Sequence, residues 1–331
     1  MRTSLKLLAI VVFSISFCFS SGSGQERANK SDGSDDSETL FHAANDLYER
    51  GKFEEAIQVL TRLIASRPDW ALAHNALCVS YTRAGHPNKA TRACKRALSL
   101  EPNFASAHFN LGVIYDSQGR DKEALVALRR ALALQPRHPA AAYTLAGVLV
   151  DLDMPEAAIQ EYRHVIQEYP NYENAYYGLA ALYYTSANYK QAAETLQKVI
   201  RFMPNDAVGR TNLGLVYIAQ RKFREAVNVL NEAIRIDASA AEAYQFLGYA
   251  HFKLGEEKRA FEALQSAVQL QSQNADSRYF LGFVSMSLGK RDRAIEQFKA
   301  LETLDSSLAQ KLYDVIYHDK VIKVDQLRRS P

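Results

Sequence analysis

The side chains of this sequence that could carry out chemistry do not form a recognisable catalytic or metal-binding group. The eight histidines are scattered, and the sequence has no phosphate-binding glycine loop, nucleophile elbow, zinc-binding cysteine pair or His-Glu-x-x-His helix. Glu161 and His164 have the Glu-x-x-His spacing of di-iron bundles, but that chemistry needs two such motifs and two further glutamates. The sequence therefore predicts no enzyme, no catalytic residue and no cofactor.

His74 and His108 are the histidines whose spacing is most suggestive of a shared role. They occupy equivalent places in adjacent copies of a repeat, so they are expected to be neighbours. No Asp, Glu or Cys of those copies adds a second ligand position, and a zinc site needs three or four ligands. Packing is therefore favoured over metal binding, and no metal site is predicted.

The elements that must position these side chains are short helices. The segment 105–138 has apolar residues at spacings of three and four in each half, separated by a polar turn that contains Gly119. Pro136 ends the second half because proline cannot continue the helical hydrogen bonds. The same pattern returns every 34 residues over 37–308, without insertion or deletion, which gives eight copies.

Two positions of each copy predict where its helices approach most closely. Position 20 is always alanine, and position 8 is small or nearly so. We expect these two positions to face each other. The residues at position 8 are Ala44, Cys78, Gly112, Ala146, Ala180, Gly214, Gly248 and Gly282.

The period and pattern resemble the tetratricopeptide repeat family. The resemblance extends over about four fifths of the chain and implies an all-α fold, a right-handed α-solenoid of eight 34-residue helix-turn-helix repeats. Ala238, Ser272 and Ser306 replace the proline of position 32 in the last three copies, so the ends of their second helices stay open. The family's tryptophan at position 4 is also absent. The predicted repeats are 37–70, 71–104, 105–138, 139–172, 173–206, 207–240, 241–274 and 275–308.

The segments outside the repeats predict an exported protein whose last repeat is covered by a capping helix. Residues 1–24 have a basic start, a 13-residue apolar run and small residues, the layout of a secretory signal peptide. An uncleaved segment that tethers the chain to a membrane is the alternative, although a helix needs roughly 20 apolar residues to span a bilayer. Residues 25–36 are predicted to be a flexible leader, and 309–331 a capping helix and tail.

Charge restricts the partners. The net charge is +3 and falls to +1 if the predicted signal peptide, which contains Arg2 and Lys6, is removed. Basic residues are mixed with acidic ones. This pattern lacks the basic stripe of a nucleic-acid-binding protein. We therefore expect a protein or peptide partner, no nucleic acid and no metal, a periplasmic or secreted location, and membrane contact only through the signal peptide.

The resemblance also implies where a partner binds. In the family the first helix of each repeat lines the concave face with positions 2, 5, 9, 12 and 13, which are rich in tyrosine and phenylalanine here. Asparagines at position 6 match isolated parts of a peptide-holding ladder. The predicted partner-binding residues are Tyr143, Tyr177 and Tyr279 at position 5, Tyr249 and Phe283 at position 9, Tyr184 and Phe252 at position 12, and Asn110 and Asn212 at position 6. The alternative is that the aromatic residues mainly pack between successive repeats.

The leading functional hypothesis is a non-catalytic scaffold that binds a peptide segment or partner protein in this groove. A clamp for a C-terminal carboxylate is disfavoured, because no position 5 holds the lysine that the family's clamp requires. A carbohydrate or cell-wall-glycan binding module and a helper subunit of an enzyme on another chain are the alternatives.

Cys78 and Cys94 are the two cysteines outside the predicted signal peptide. They occupy positions 8 and 24 of the second repeat. Contacting residues of an antiparallel hairpin have nearly constant position sums, and the sum of 32 for this pair is close to the 28 of positions 8 and 20, which allows the two sulfur atoms to come within reach of each other. Export would allow a disulfide to persist, and the alternative is a pair of buried free cysteines that act as small apolar residues.

Overall fold

A computed structural model describes residues 34–317 and is helical throughout, with short connections. The predicted signal peptide, leader residues 25–33 and tail residues 318–331 lie outside the described residues. The first helices of the repeats are α1 (Ser34–Glu49), α3 (Ala71–Arg83), α5 (Ala105–Ser117), α7 (Pro139–Asp151), α9 (Glu173–Thr185), α11 (Ala207–Ala219), α13 (Ala241–Lys253) and α15 (Ala275–Ser287). The second helices are α2 (Phe53–Ser66), α4 (Pro87–Leu100), α6 (Asp121–Leu134), α8 (Pro155–Glu168), α10 (Tyr189–Phe202), α12 (Phe223–Ile236), α14 (Glu257–Leu270) and α16 (Arg291–Leu304), and α17 (Ser306–Tyr317) follows them.

The bounds of these helices repeat every 34 residues. Each first helix from α3 to α15 has 13 residues and each second helix has 14. Helix α1 is longer, because it begins at Ser34 rather than at the predicted residue 37. The predicted fold class, an all-α solenoid of helix-turn-helix repeats, is confirmed.

The described residues belong to two compact units, one that ends at Ala175 and one that begins at Tyr176. In the first unit each helix from α1 to α8 packs against the next, and in the second the same holds from α10 to α17. Each hairpin therefore buries its apolar faces mainly against its neighbours in sequence. None of the helices in the described range is both long and apolar enough to cross a membrane.

The closest approach inside a repeat joins position 8 to position 24. A Cβ atom on Gly112, Gly214 or Gly248 would lie 2.7, 2.5 or 2.5 Å from the Cγ atom of the position-24 leucine of the same repeat. Position 20 faces position 8 through its backbone in the seventh repeat, where the Ala260 carbonyl oxygen would lie 3.1 Å from a Cβ atom on Gly248, but the nearest side chain is that of position 24. The position-20 alanines are fully buried, but a methyl group is short, and the leucine one helical turn later reaches the glycine instead.

The turn between the two helices of every repeat contains a left-handed residue at position 15. Five copies have glycine there, with φ between 67° and 79°. Asp153, Ala187 and Arg221 occupy the position in the other three copies, with φ of 59°, 58° and 61°. Only glycine adopts this conformation without a steric penalty from its Cβ atom, so three consecutive repeats carry local strain.

The last three second helices end where the others do, although they lack the position-32 proline. Helices α12, α14 and α16 stop at Ile236, Leu270 and Leu304, and the residue after each is extended, with φ between −153° and −132°. After α12, the Asp237 carboxylate accepts hydrogen bonds from the amide and hydroxyl of Ser239. Side chains of this kind can end a helix without proline.

Helix α17 closes the second unit. The Asp305 carboxylate accepts hydrogen bonds from the amides of Ser307 and Leu308, which caps the helix start. Leu312 is fully buried, and its side chain is the nearest group to a Cβ atom placed on Gly282. In the last repeat α17 thus supplies the leucine that position 24 supplies in the third, sixth and seventh repeats.

Candidate partner-binding surface

In five repeats the side chain at position 5 contacts the residue that precedes the next first helix, 29 positions later. The ring centroids of Phe41 and Trp70 are 5.1 Å apart, and those of Phe109 and His138 are 4.6 Å apart. Three further pairs make the same contact: Tyr143 with Tyr172 at 5.9 Å, Tyr177 through its hydroxyl with the Asp206 carboxylate, and Gln245 through a 3.2 Å hydrogen bond from Asn274. Position 5 in these five repeats therefore contacts the last residue of its own repeat, where the next first helix begins. Whether these side chains also contact a partner stays a prediction.

Four of the predicted partner-binding residues are buried. The side chains of Phe252 and Phe283 pack edge to face with centroids 5.5 Å apart. The Asn110 side chain donates a 2.9 Å hydrogen bond to Asn75, and both residues are buried. Asn212 is buried as well. These four side chains offer a partner little surface, and their role in binding stays a prediction.

The other five predicted residues are half-buried tyrosines: Tyr143, Tyr177, Tyr184, Tyr249 and Tyr279. Burial raises the phenol pKa of Tyr143, Tyr184, Tyr249 and Tyr279. Each phenol therefore stays neutral at physiological pH and can donate a hydrogen bond beside an apolar ring. This combination suits protein interfaces.

The first unit contains an acidic cluster that the sequence interpretation missed. Asp116 in α5, Asp121 in α6 and Asp151 in α7 each place a carboxylate oxygen within 4.8 Å of the others. Burial, followed by the charges of Asp151 and Asp121, raises the pKa of Asp116 to about 6. The three residues come from different helices, so their spacing in the sequence does not reveal the cluster. The one available signal was that Asp116 and Asp151 occupy positions 12 and 13, which the family places on the concave face. Carboxylates can hold a cation, but exposed acidic groups also cluster without one.

The second unit contains two basic side chains, Lys253 and Arg221, that influence each other electrostatically. Lys253, the last residue of α13, places its Nζ atom 5.4 Å from the ring centroid of Tyr249. Arg221 in the turn after α11 is close enough to lower the pKa of Lys253, after the larger effect of burial. The charge of Arg221 also opposes the rise of the Tyr249 pKa.

His74 and His108 connect their helices to the preceding turn. Their Nε2 atoms lie 3.0 and 2.9 Å from the carbonyl oxygens of Pro68 and Pro102, so each ring donates a hydrogen bond to a residue six positions earlier. Arg278 makes the same contact with the carbonyl of Ser272 at 2.7 Å. Hydrogen-bonding side chains at position 4 thus take a structural role in repeats that lack the family's tryptophan.

Cys78 and Cys94 form a disulfide between α3 and α4. Their Cα atoms are 5.2 Å apart, and both side chains are fully buried. The pair occupies positions 8 and 24, where Gly112 contacts Leu128 in the next repeat. The disulfide therefore replaces the glycine and leucine contact that the third, sixth and seventh repeats make at these positions.

Family models confirm the resemblance seen in the sequence. Models described as tetratricopeptide repeat match residues 41–85, 81–146, 123–173, 149–211 and 241–274, and one described as TPR repeat matches 214–255. Together these matches span residues 41–274. No curated protein matches the sequence.

Solved structures share the fold at low sequence identity. A tetratricopeptide repeat protein from Parabacteroides merdae is 20% identical with a TM-score of 0.59, over 74% of this chain and 98% of that one. The Cut9–Hcn1 structure is 18% identical with a TM-score of 0.56, over 84% of this chain and 55% of that one, so this chain spans about half of its length. The Pseudomonas aeruginosa pilF structure is 22% identical with a TM-score of 0.54, over 64% of this chain and 97% of that one. At these identities the likeness shows the fold alone.

Proposed function

Because the chain belongs to the tetratricopeptide repeat family, we propose that it is a non-catalytic scaffold that holds a peptide segment or partner protein against its first helices. The observation that carries this proposal is the set of five half-buried tyrosines on α7, α9, α13 and α15. Four of the rings pack against a neighbouring aromatic ring, the Tyr177 hydroxyl contacts the Asp206 carboxylate, and all five side chains still reach solvent. Tyrosines fixed in this way give large contact area at little cost in side-chain entropy.

A non-catalytic role is supported by what the reactive side chains contact. The rings of His74 and His108 donate to backbone carbonyls. His251 is buried and its Nδ1 atom lies 2.6 Å from the Glu256 carboxylate. Each of these groups connects parts of the fold. Among the similar structures, Cut9–Hcn1 is described as a hetero-tetramer, which is consistent with the use of this fold in an assembly.

We also propose that the chain is exported and works in the periplasm or outside the cell. The layout of residues 1–24 supports this, and so does the Cys78–Cys94 disulfide, since such bonds persist in oxidising compartments. Cell fractionation together with the mass of the purified native protein tests the proposal. A cytosolic protein that retains residues 1–24 would contradict it.

Peptide selection tests the scaffold proposal. The full chain is screened against a displayed random dodecapeptide library, and the affinity of the best peptide is measured for Tyr143→Ala and Tyr279→Ala. If either tyrosine is an anchor, its loss should weaken binding by more than about 1 kcal/mol. Val126→Ala is the matched control, because Val126 is 70% exposed and lies on a second helix. Binding only to a glycan array, with no peptide selected, would contradict the proposal.

A further inference from the structure

The outward faces of two consecutive second helices, α4 and α6, are almost entirely basic. Because successive residues of a helix are about 100° apart, repeat positions 18, 19, 22, 25, 26 and 29 share an arc of about 120°. On α4 and α6 all twelve residues at these positions are exposed. Seven of them form what we call the α4–α6 basic surface: Lys89, Arg92, Lys95 and Arg96 on α4, and Lys122, Arg129 and Arg130 on α6.

The two helices lie side by side in the first unit. Both pack against α5, and because a short turn joins α5 to each of them, both run in the direction opposite to α5. The Nη2 atom of Arg130 on α6 donates a 2.7 Å hydrogen bond to the Oδ1 atom of Asn103, in the turn that follows α4. Since each helix has 14 residues, the seven cations share a surface about 20 Å long and two helices wide.

Few negative charges accompany these cations. Glu123 is the one acidic residue among the twelve, and its Oε1 atom lies 2.7 Å from the Nη2 atom of Arg120 in the preceding turn. Within residues 34–317, none of the seven cations forms an ion pair. The same six positions of α12 carry two basic and two acidic residues, which balance: Arg224, Arg235, Glu225 and Glu232. The α4–α6 basic surface therefore concentrates positive charge in a chain whose net charge is only +3.

The repeats do not offset the repulsion between these cations. Arg92 is four residues before Arg96, and like charges at this spacing destabilise a helix. Arg96 does contact the fold, since its Nη2 atom donates a 3.5 Å hydrogen bond to the carbonyl oxygen of Pro68. Arg92, Lys95 and Arg129 make no hydrogen bond to any described part of the chain. Their charges thus contribute nothing to the stability of the repeats that carry them.

We propose that the α4–α6 basic surface docks an acidic polypeptide segment, rich in Asp and Glu, of a partner protein. This surface lies on second helices, apart from the tyrosines of the first helices, so it adds a second docking site to the proposed scaffold. Four of its seven cations are arginines, whose guanidinium groups bind carboxylates through paired hydrogen bonds. An extended segment of about six residues would span its length of about 20 Å. The carboxylates of that segment would also relieve the repulsion among the cations.

Two other anionic partners fit the surface less well. A helix that lies on an anionic membrane needs an apolar face as well as basic residues, and Val126 is the one exposed large apolar side chain on α4 or α6. Single-stranded nucleic acid is held by aromatic side chains on which its bases stack, and none of the twelve outward residues is aromatic. An acidic polypeptide needs neither feature.

The test uses the full chain and two synthetic dodecapeptides, each labelled with fluorescein and amidated at its C-terminus. One peptide alternates glutamate with serine, and the other alternates glutamine with serine. Their dissociation constants are measured by fluorescence anisotropy at physiological ionic strength. The test variant combines Arg92→Gln, Lys95→Gln and Arg129→Gln. Because these side chains are exposed and make no hydrogen bond within the described residues, this variant should fold.

The matched control combines Arg224→Gln, Arg235→Gln and Lys258→Gln. These residues are exposed on α12 and α14, so both triple variants lose two arginines and one lysine from second helices. We expect wild type to bind the glutamate peptide and not the glutamine peptide. Exposed ion pairs are individually weak, so the three changes of the test variant together should weaken binding of the glutamate peptide by about tenfold or more. The control should bind within twofold of wild type.

Vesicles of phosphatidylglycerol and a thymidine dodecanucleotide are the competing probes. Tighter binding of either probe than of the glutamate peptide, lost in the test variant, would replace the acidic polypeptide by a membrane or a nucleic acid. No binding of the glutamate peptide by wild type, or full affinity in the test variant, would overturn the inference. Equal losses in both triple variants would show only general electrostatic attraction and overturn it as well. None of these results touches the proposed function, which is tested through Tyr143 and Tyr279 on first helices.

Discussion

Among single residues, Asp116 is expected to make stability depend on pH. Its pKa is about 6 in the folded chain and 3.8 for an ordinary aspartate. Well below pH 4 the carboxyl is protonated in both the folded and the unfolded state, so it does not lower the free energy of unfolding. Between pH 4 and 6 the folded state keeps a proton that the unfolded state has released, so the free energy of unfolding falls as pH rises.

Replacing Asp116 by asparagine should remove this pH-dependent loss of unfolding free energy. Because one pKa unit corresponds to about 1.4 kcal/mol, we expect Asp116→Asn to be more stable than wild type at pH 7, by about 1–3 kcal/mol, and nearly equal to it at pH 4. Urea unfolding followed by circular dichroism at both pH values measures the difference. Asp69→Asn, an exposed site outside the cluster, is the control. An equal gain at both pH values would show that the cause is not ionisation.

The left-handed turn residues give a second prediction for single residues. Ala187 has a φ of 58° where five copies have glycine. Ala187→Gly removes a steric cost of about 1–2 kcal/mol but increases the freedom of the unfolded chain by roughly 0.5–1 kcal/mol. We expect a net gain of about 0.5–1 kcal/mol in unfolding free energy.

Gly119→Ala is the matched reverse change. A Cβ atom on Gly119 meets nothing within 4 Å, so any loss of stability must come from the backbone alone. The two variants should shift the urea midpoint in opposite directions by similar amounts. A loss of stability in Ala187→Gly would mean that strain at this turn is negligible.

For helices and repeats, the disulfide between α3 and α4 can be tested against the contact that it replaces. Closing a loop of this length stabilises a protein by about 3 kcal/mol in the chain-entropy model, so Cys78→Ser with Cys94→Ser should lose about that much. Cys78→Ala with Cys94→Leu recreates the pair found at the same positions in the first and fifth repeats. This variant should recover part of the lost stability, and its stability should not change when dithiothreitol is added.

Thiol titration of the denatured, unreduced chain beginning at Gln25 should find no free thiol, and two thiols would disprove the bond.

Sequence periodicity predicted the helices well because every copy is the same length. The 34-residue spacing alone locates α2 to α16, and the last three helix ends kept that spacing without proline. The contact of Gly112 with Leu128 was missed because it depends on side-chain length, which periodicity does not report. The Asp116 cluster and the contacts of position 5 with the residue before the next first helix depend on how consecutive helices are oriented, and only the structure supplies that orientation. Five tyrosines of the predicted surface remain half-exposed, whereas Phe252 and Phe283 turn toward each other.

For the whole molecule, stability is expected to be a sum over neighbouring repeats, because each helix packs mainly against the next in sequence. The terminal repeat then depends on its closing helix. Leu312 is fully buried and fills the space above Gly282, so Leu312→Ala leaves a cavity and should cost about 2–5 kcal/mol locally.

Native-state hydrogen exchange can show how far that loss spreads. If neighbouring contacts dominate, Leu312→Ala should speed amide exchange in α15, α16 and α17 by ten-fold or more and leave α5 and α6 unchanged. Leu128→Ala, at the equivalent contact inside the third repeat, should do the reverse, with faster exchange in α5 to α7 and little change in α15. Both substitutions remove the same atoms from equally buried sites, so the two patterns differ only through position along the chain. Equal acceleration in every helix by either variant would mean that the chain opens as one cooperative unit, and stability could then not be assigned to individual repeats.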